Sequence, residues 1–224
     1  MIDHHSNYTA AIKMSALGSA SASELKKVLK RLFDIVVSSA AILILSPIFI
    51  GTAILIKLES RGPVIFKQTR VGLNGVPFTI FKFRSMADDA ESRLPDLMVR
   101  NDMENGVLFK IKSDPRVTKV GKIIRKSSID ELPQLFNVLW GDMSLVGPRP
   151  PLPEEVDQYS QRAYLRFAAL PGITCFWQVM GRSDIPFKQQ VTLDLEYIEK
   201  QSLFLDVKLL LMTIPAVLSA RGAY

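Results

Sequence analysis

The sequence predicts an α+β chain, mainly helical with one small β-hairpin, in which a membrane helix broken by a Ser-Pro pair is accompanied by amphipathic helices at the membrane interface. Three observations carry this expectation. Residues 35–56 form a run of 22 residues without a charge, about 33 Å long at 1.5 Å per residue and so sufficient to cross a bilayer. Two apolar-rich runs flank the Asn74-Gly75 dipeptide, the strongest short signal for a hairpin. Later segments mix apolar and charged residues between prolines and glycines, as helices resting on a core or a membrane do.

Taken in order, residues 1–23 are rich in Ser and Ala with no sustained apolar face, which predicts a flexible tail. Residues 24–60 form the anchor. Its apolar run starts too late for a signal peptide. Ser46 and Pro47 lie at its centre, where proline removes a donor and clashes with the preceding turn, so a bend is expected. The Ser46 hydroxyl is placed to satisfy a carbonyl freed there. Both flanks are basic, with Lys26, Lys27, Lys30 and Arg31 before the run and Lys57, Arg61, Lys67 and Arg70 after it. The positive-inside rule draws both ends toward the cytoplasm, which a re-entrant hairpin satisfies; a straight span and a buried core helix remain alternatives. Asp34, at the entrance, is expected to pair with Lys30 or Arg31 on the same helix face.

Residues 61–224 form the remaining domain. A hairpin is expected from 64–71 and 78–83, a surface helix over 88–103, and another short strand after Asn105-Gly106. Further helices are expected over 127–139 and over 154–167, the second begun by Pro153, stopped by Pro171 and Gly172, and amphipathic through Tyr159, Tyr164, Phe167, Arg162 and Arg166. The apolar stretch 203–218 is too short and too interrupted by Asp206, Lys208 and Thr213 for a convincing span.

Composition narrows the chemistry. At 224 residues and 48% apolar content the chain suits one domain, or one domain with an anchor. A net charge of +6 favours anionic partners: phosphates, nucleic acid or acidic lipid headgroups. No aromatic-basic platform or helix-turn-helix signal supports nucleic acid. The single cysteine, Cys175, forms no intramolecular disulfide, in keeping with a reducing, cytoplasm-facing location. His4 and His5 are the only histidines, and their position in the tail excludes histidine triads and zinc sites.

Catalysis then rests on carboxylates, Lys, Arg or hydroxyls, and the densest stretch of these is residues 125–151. At its centre Asp130 adjoins Glu131. One reading is structural: Ser128 with Glu131 three residues on is a capping box, or, since Pro133 disturbs that register, Asp130 is itself the cap. The other is phosphoryl chemistry. An ionised aspartate attacks phosphorus without a histidine to activate it. The repulsion between two anions is relieved if Glu131 binds Mg²⁺ and basic groups hold the phosphate oxygens. Lys82, Arg84, Arg116, Arg125 and Arg149 are the candidates, each with the alternative fate of a solvated surface charge. Arg149 stands out because prolines on either side restrict the backbone that presents it.

From Lys30 onward the chain resembles the monotopic phosphoglycosyl transferases, the bacterial sugar transferase family. The resemblance rests on an ordered set of segments: KRLFD at Lys30, the pair Ser46 and Pro47, KFRSM at Lys82, DPRVT at Asp114, SSIDELPQLFNVLWGDMSLVGPRP at Ser127, PGIT at Pro171 and WQVMGR at Trp177. It implies that Asp130 is the nucleophile of a covalent phosphosugar intermediate and Glu131 its Mg²⁺-binding neighbour. Lys82, Arg125 and Arg149 become phosphate-site residues, and Asp194 and Asp206 supporting acids. It further implies a re-entrant helix broken at Ser46 and Pro47, a UDP-sugar donor, undecaprenyl phosphate as acceptor, and a place on the cytoplasmic face of the bacterial inner membrane, ahead of downstream glycosyltransferases of exopolysaccharide assembly. Around WQVMGR the similarity points to a plain hexose. Cys175 departs from the glycine common after PGIT, which predicts crowding in that turn. The competing class is a non-catalytic membrane scaffold that binds nucleotide sugars or assembly partners in the same basic groove.

Overall fold

A computed structural model describes residues 20–97, 111, 114–181 and 184–219. Most of the expected tail, the end of the 88–103 segment and the strand expected after Asn105-Gly106 lie outside the described residues.

Helix α1 (Ala20–Glu59) carries Pro47 inside it. The expected break is absent as an interruption: the chain stays helical through Ser46 and Pro47. The reason is local. Proline leaves the Leu43 carbonyl without its usual donor, and the Ser46 hydroxyl donates to that carbonyl at 2.8 Å. The stretch Glu24–Glu59 is long and apolar enough to cross a membrane, and only 11% of its most apolar window is buried. One side packs on the core through Phe33, Val37, Ala41, Ile42 and Phe49. Leu43, Ile44, Ile50, Ile54, Leu55 and Leu58 are exposed.

Both ends of α1 are tied to the same body. Near its start Lys30 Nζ lies 2.8 Å from Asp206 and donates to the Ser144 hydroxyl at 2.6 Å. Asp34 pairs with Lys30 at 3.4 Å and accepts from the Leu145 N–H at 3.2 Å, while Arg31 donates to the Val138 and Leu139 carbonyls. At its end the Glu59 carboxylate accepts from the Lys119 and Val120 N–H groups, at the start of a helix with unsatisfied donors.

Strands β1 (Ile65–Val71) and β2 (Pro77–Phe83) form the expected antiparallel hairpin, with Ile65 opposite Phe83 and Val71 opposite Pro77. Asn74 at φ 56° and Gly75 at φ 76° make the turn, the left-handed pair that Asn-Gly favours. Alternation sends Arg70, Ile80 and Lys82 to one face and Lys67, Phe81 and Phe83 to the other. One edge of β2 is closed by a side chain: Asn137 accepts from the Phe81 N–H at 3.1 Å and donates to the Thr79 carbonyl at 2.7 Å.

After one helical turn, α2 (Leu94–Leu97), the chain enters α3 (Lys119–Lys126), which Thr118 caps by accepting from the Gly121 N–H. The helix expected over 127–139 is divided into a 3₁₀ turn at Ile129–Glu131 and α4 (Gln134–Trp140), which begins just after Pro133. Proline has no N–H to continue a helix begun at Ser128. A short parallel pair, β3 (Ser144–Val146) and β4 (Gly172–Thr174), was not anticipated. It brings Gly147 and Gly172 so close that a Cβ on Gly172 would stand 2.0 Å from the Gly147 nitrogen.

The amphipathic helix expected over 154–167 is also divided, into α5 (Pro153–Val156), α6 (Gln161–Tyr164) and a 3₁₀ turn at Leu165–Ala168. Tyr159 lies between them because its ring turns inward, against Phe167 and Phe187. This face therefore covers the core through Val156, Tyr159, Ala163 and Phe167. Short α7 (Phe176–Met180), then α8 (Phe187–Lys200) and α9 (Leu203–Leu218) complete the body. Helix α9 buries Asp206 and Leu209 and leaves Phe204, Leu211, Ile214 and Leu218 exposed.

Candidate active site

The two readings of Asp130 and Glu131 make different structural demands, and the capping box is not formed. Ser128 precedes the turn in a left-handed conformation, φ 56° and ψ 17°, and makes no side-chain cap. Asp130 lies inside the turn and is not its cap. A left-handed serine costs on the order of 1 kcal/mol, which places strain two residues before Asp130. The Glu131 carboxylate reaches across to β2, where Lys82 Nζ donates to it at 2.7 Å.

That ion pair forms one wall of a small, open cleft lined by Arg70, Ile80, Lys82, Glu131, Gln134, Arg149, Pro150, Gly172, Ile173 and Gln178. Each element contributes for a physical reason. Strand alternation aims Lys82 and Arg70 inward. The 3₁₀ turn aims Glu131. The Gly147–Gly172 approach lets the Pro148-Arg149-Pro150 segment lie across the β4 turn without a clash.

Asp130 sits on the same turn, beside the lining. Burial, then the neighbouring Glu131, pushes its carboxyl up from 3.8 to about 6, against the opposing pull of Lys82 and Arg125. Burial also depresses Lys82, reinforced by Arg149 and Arg70. The arrangement is a half-buried carboxylate of raised basicity beside several cations, a combination suited to attack on an anionic phosphorus centre.

The expected residues thus fall into three groups. Glu131, Lys82 and Arg149 meet at the cleft, with Asp130 and Arg125 alongside. Asp194 and Asp206 act from a distance. Buried Asp194, raised to about 6 by burial, pairs with Arg166 at 2.7 Å, and Arg166 in turn donates to the Arg149 carbonyl at 3.3 Å. Buried Asp206 accepts from the Tyr197 hydroxyl at 2.7 Å. The same hydroxyl, which carries a single proton, also lies 2.9 Å from the Val146 carbonyl, so Asp206 and Tyr197 sit against the strand that leads into Gly147. Asp34 and Lys30 join the same network.

Arg84 and Arg116 lie elsewhere. The Arg84 guanidinium donates to the Ser60 and Arg61 carbonyls, which fastens the exit of α1 to β2. Arg116 is held bidentately by Asp114 and donates to the Ala90 carbonyl. Their two segments join where Met86 bridges Val117 and Thr118 donates to Ser85, so KFRSM and DPRVT build a structural joint.

Arg70, counted in the sequence only as a basic flank, is a cleft residue. Its signal was the hairpin register, which puts it on the same face as Lys82. Gln134 and Gln178 were missed as well. Cys175 does not crowd its turn: its φ of −155° is extended backbone open to any residue, and its thiol donates to the Gln178 side chain at 3.1 Å.

The profile of the bacterial sugar transferase family matches residues 25–220. The chain is 47% identical over 195 residues to the galactosyl transferase CpsE of Streptococcus agalactiae serotype III, covering 87% of this chain and 43% of that protein. It is 39% identical to the exopolysaccharide production protein ExoY of Rhizobium meliloti, over 87% of this chain and 88% of that one. To the UDP-glucose:undecaprenyl-phosphate glucose-1-phosphate transferase of Caulobacter vibrioides it is 41% identical, over 87% and 72% respectively. The chain therefore spans less than half of CpsE and most of ExoY. With a match that takes in the long apolar helix, the Lys82–Glu131 cleft and the acids behind it, the chain belongs to the bacterial sugar transferase family.

Proposed function

We propose that the chain transfers a hexose-1-phosphate from a UDP-sugar to undecaprenyl phosphate at the cytoplasmic face of the bacterial inner membrane, the first step of exopolysaccharide or related glycan assembly. The observation that carries the reading is the Lys82–Glu131 pair, which takes Glu131 out of a capping role and sets Asp130 beside a cation-lined cleft. The names of relatives that act on UDP-glucose and on undecaprenyl phosphate support the choice of substrates.

Asp130 attacks the sugar-linked phosphorus of the donor, the phosphoanhydride bond breaks, and UMP departs with the bonding pair. An oxygen of the lipid phosphate then attacks the aspartyl phosphosugar, which releases polyprenyl diphosphate sugar and restores the Asp130 carboxylate. Lys82 and Arg149 hold phosphate oxygens, with Arg125 adding positive charge near Asp130. Arg166, anchored by Asp194, holds the backbone that presents Arg149. The cleft is small for a whole nucleotide sugar, so it suits the diphosphate, with the rest of the donor extending outward.

Glu131 is the residue that would hold Mg²⁺. Among the described residues no three acids, histidines or cysteines gather as a metal cage; Mg²⁺ fits nonetheless, because it commonly takes one or two carboxylates and completes its shell with water and phosphate oxygens. Bound there, it supplies charge neutralisation of the diphosphate.

The two attachments of α1 support a re-entrant anchor over a straight span. Lys30 and Asp34 at one end and Glu59 at the other bond to a single body, an arrangement that favours both ends lying on one side of the bilayer although the helix runs unbroken through Pro47. The exposed apolar residues between them enter one leaflet, and neighbouring basic residues favour an anionic surface.

The test is UMP release by detergent-purified protein with Mg²⁺ and undecaprenyl phosphate, using UDP-galactose, UDP-glucose and an N-acetylated UDP-sugar as donors. Lipid-dependent release that disappears in Asp130→Asn is expected. Binding of UDP without turnover of any donor would favour the scaffold reading, and full activity in the variant would remove Asp130 as nucleophile.

A further inference from the structure

Four arginines among the described residues are buried, at exposures of 5–7%. Three have a carboxylate in reach: Arg166 meets Asp194 and Arg116 meets Asp114, each at 2.7 Å, and Arg84 lies 3.8 Å from Asp88. Arg70 makes no ion pair among the described residues. Its hydrogen bonds go to neutral acceptors: Nη1 donates to the Pro150 carbonyl, and Nε and Nη2 donate to Gln68 Oε1. A guanidinium carries five N–H groups, so two remain.

The surroundings aggravate this lack. Arg70 shares the cleft with Lys82 and Arg149. Burial, then Arg149, pulls its guanidinium down to about 10. The nearby acids are already engaged, Glu131 with Lys82 and Glu155 with the Leu152 N–H. Three cations thus face one lining carboxylate, and Arg70 among them is buried, where unpaired charge is costly. The fixed Pro150 contact also keeps the guanidinium fork beside Arg149.

We propose that Arg70 is a phosphate-binding residue of this cleft: with Arg149 it forms a paired guanidinium seat for the oxygens of a phosphate ester or diphosphate. This rests on the transferase reading above and adds to it a residue supplied by the hairpin. The same chemistry is offered by the donor diphosphate and by the headgroup of the lipid phosphate. Planar, bidentate recognition explains why an arginine occupies the position.

The experiment is titration of UDP into the purified full chain at two salt concentrations, for wild type, Arg70→Gln and Arg70→Lys, together with unfolding temperatures without ligand. Arg70→Gln should bind UDP about 10- to 100-fold more weakly, as for loss of a charge-assisted hydrogen bond. Its salt dependence should be shallower, and its ligand-free unfolding temperature should not fall in parallel. Arg70→Lys, which keeps the charge without the fork, should lie between. Unchanged UDP affinity in Arg70→Gln overturns the assignment and leaves the transferase reading intact. A joint fall in affinity and ligand-free stability, with the salt dependence of wild type, also overturns it, since Arg70 would then be a staple for Pro150. If wild type binds neither UDP nor inorganic pyrophosphate, both readings fall.

Half-reactions identify the source of the anion. A loss in UMP release at limiting UDP-sugar assigns Arg70 to the donor, and a loss in discharge of the preformed intermediate by undecaprenyl phosphate assigns it to the lipid headgroup. Loss in both indicates a shared seat, and loss in neither overturns the proposal.

Discussion

Removing the charge of Asp130 should stabilise the resting protein while it ends the chemistry. Burial and Glu131 raise this carboxyl from 3.8 to about 6, so the folded chain holds its proton more tightly than the unfolded chain does. The stability tied to that proton is fully present below about pH 4, declines as pH rises, and is gone above about pH 6. At about 1.4 kcal/mol for each tenfold difference in proton affinity, wild type forfeits about 3 kcal/mol at neutral pH relative to a neutral side chain of the same shape. Solvent contact at this half-buried site brings the expectation to about 2 kcal/mol. For a chain of this size that is roughly 4–8 °C in Tm. The assay is unfolding of wild type and Asp130→Asn in the same detergent between pH 4 and pH 8, read as the difference between the two so that other titrating groups cancel. The gap should be near zero at pH 4 and open in favour of the variant toward pH 8. A gap that opens toward acid, or a variant less stable than wild type at pH 8, would refute the picture of a carboxylate held at an energetic cost.

On the proposed mechanism the same proton affinity should set an acid limb on the rate. The first half-reaction of the free enzyme should fall below about pH 6 as Asp130 becomes protonated, measurable as kcat/KM for UMP release. Gly172→Ala should destabilise by about 3 kcal/mol or more and lower activity with it, because its Cβ would stand 2.0 Å from a backbone nitrogen; chemical denaturation checks the first part. Lys30→Met leaves Asp34 and Asp206 buried without their cation and should cost about 3–5 kcal/mol. Adding Asp206→Asn should recover part of that loss, a coupling that a double-mutant cycle reads directly.

Features carried by local pattern were legible in the sequence. Asn74-Gly75 between apolar runs marked the hairpin, the uncharged run marked α1, and Pro133 marked the difficulty in a single helix over 127–139. The Asp130-Glu131 pair was visible, but not whether the capping box would form, because Glu131 turns instead to a lysine supplied by β2. Long-range pairing hid the remainder. Strands β3 and β4 have three residues each, too few for a periodic signal, and depend on one another across the segment that carries Arg149. Charge alone also does not distinguish a scaffold arginine from a ligand-holding one: Arg84 and Arg116 have partners within the fold, whereas Arg70 resembled a surface cation until the register placed it beside Lys82. Likewise Tyr159 divided a helix that periodicity had joined, since its inward turn follows from Phe187, far along the chain.

The ionic knot of Lys30, Asp34 and Asp206 has a consequence for biogenesis. It joins the first described helix to the last, so the acid near the membrane entrance is made roughly 10–35 s before the final member, at 5–20 residues per second. During that interval the long apolar helix is complete while its polar foot still lacks Asp206. Release of a ribosome-bound chain just before and just after residue 206 emerges should therefore separate a protease-sensitive nascent form from a resistant one, which makes α9 the clasp that commits the anchor to its body.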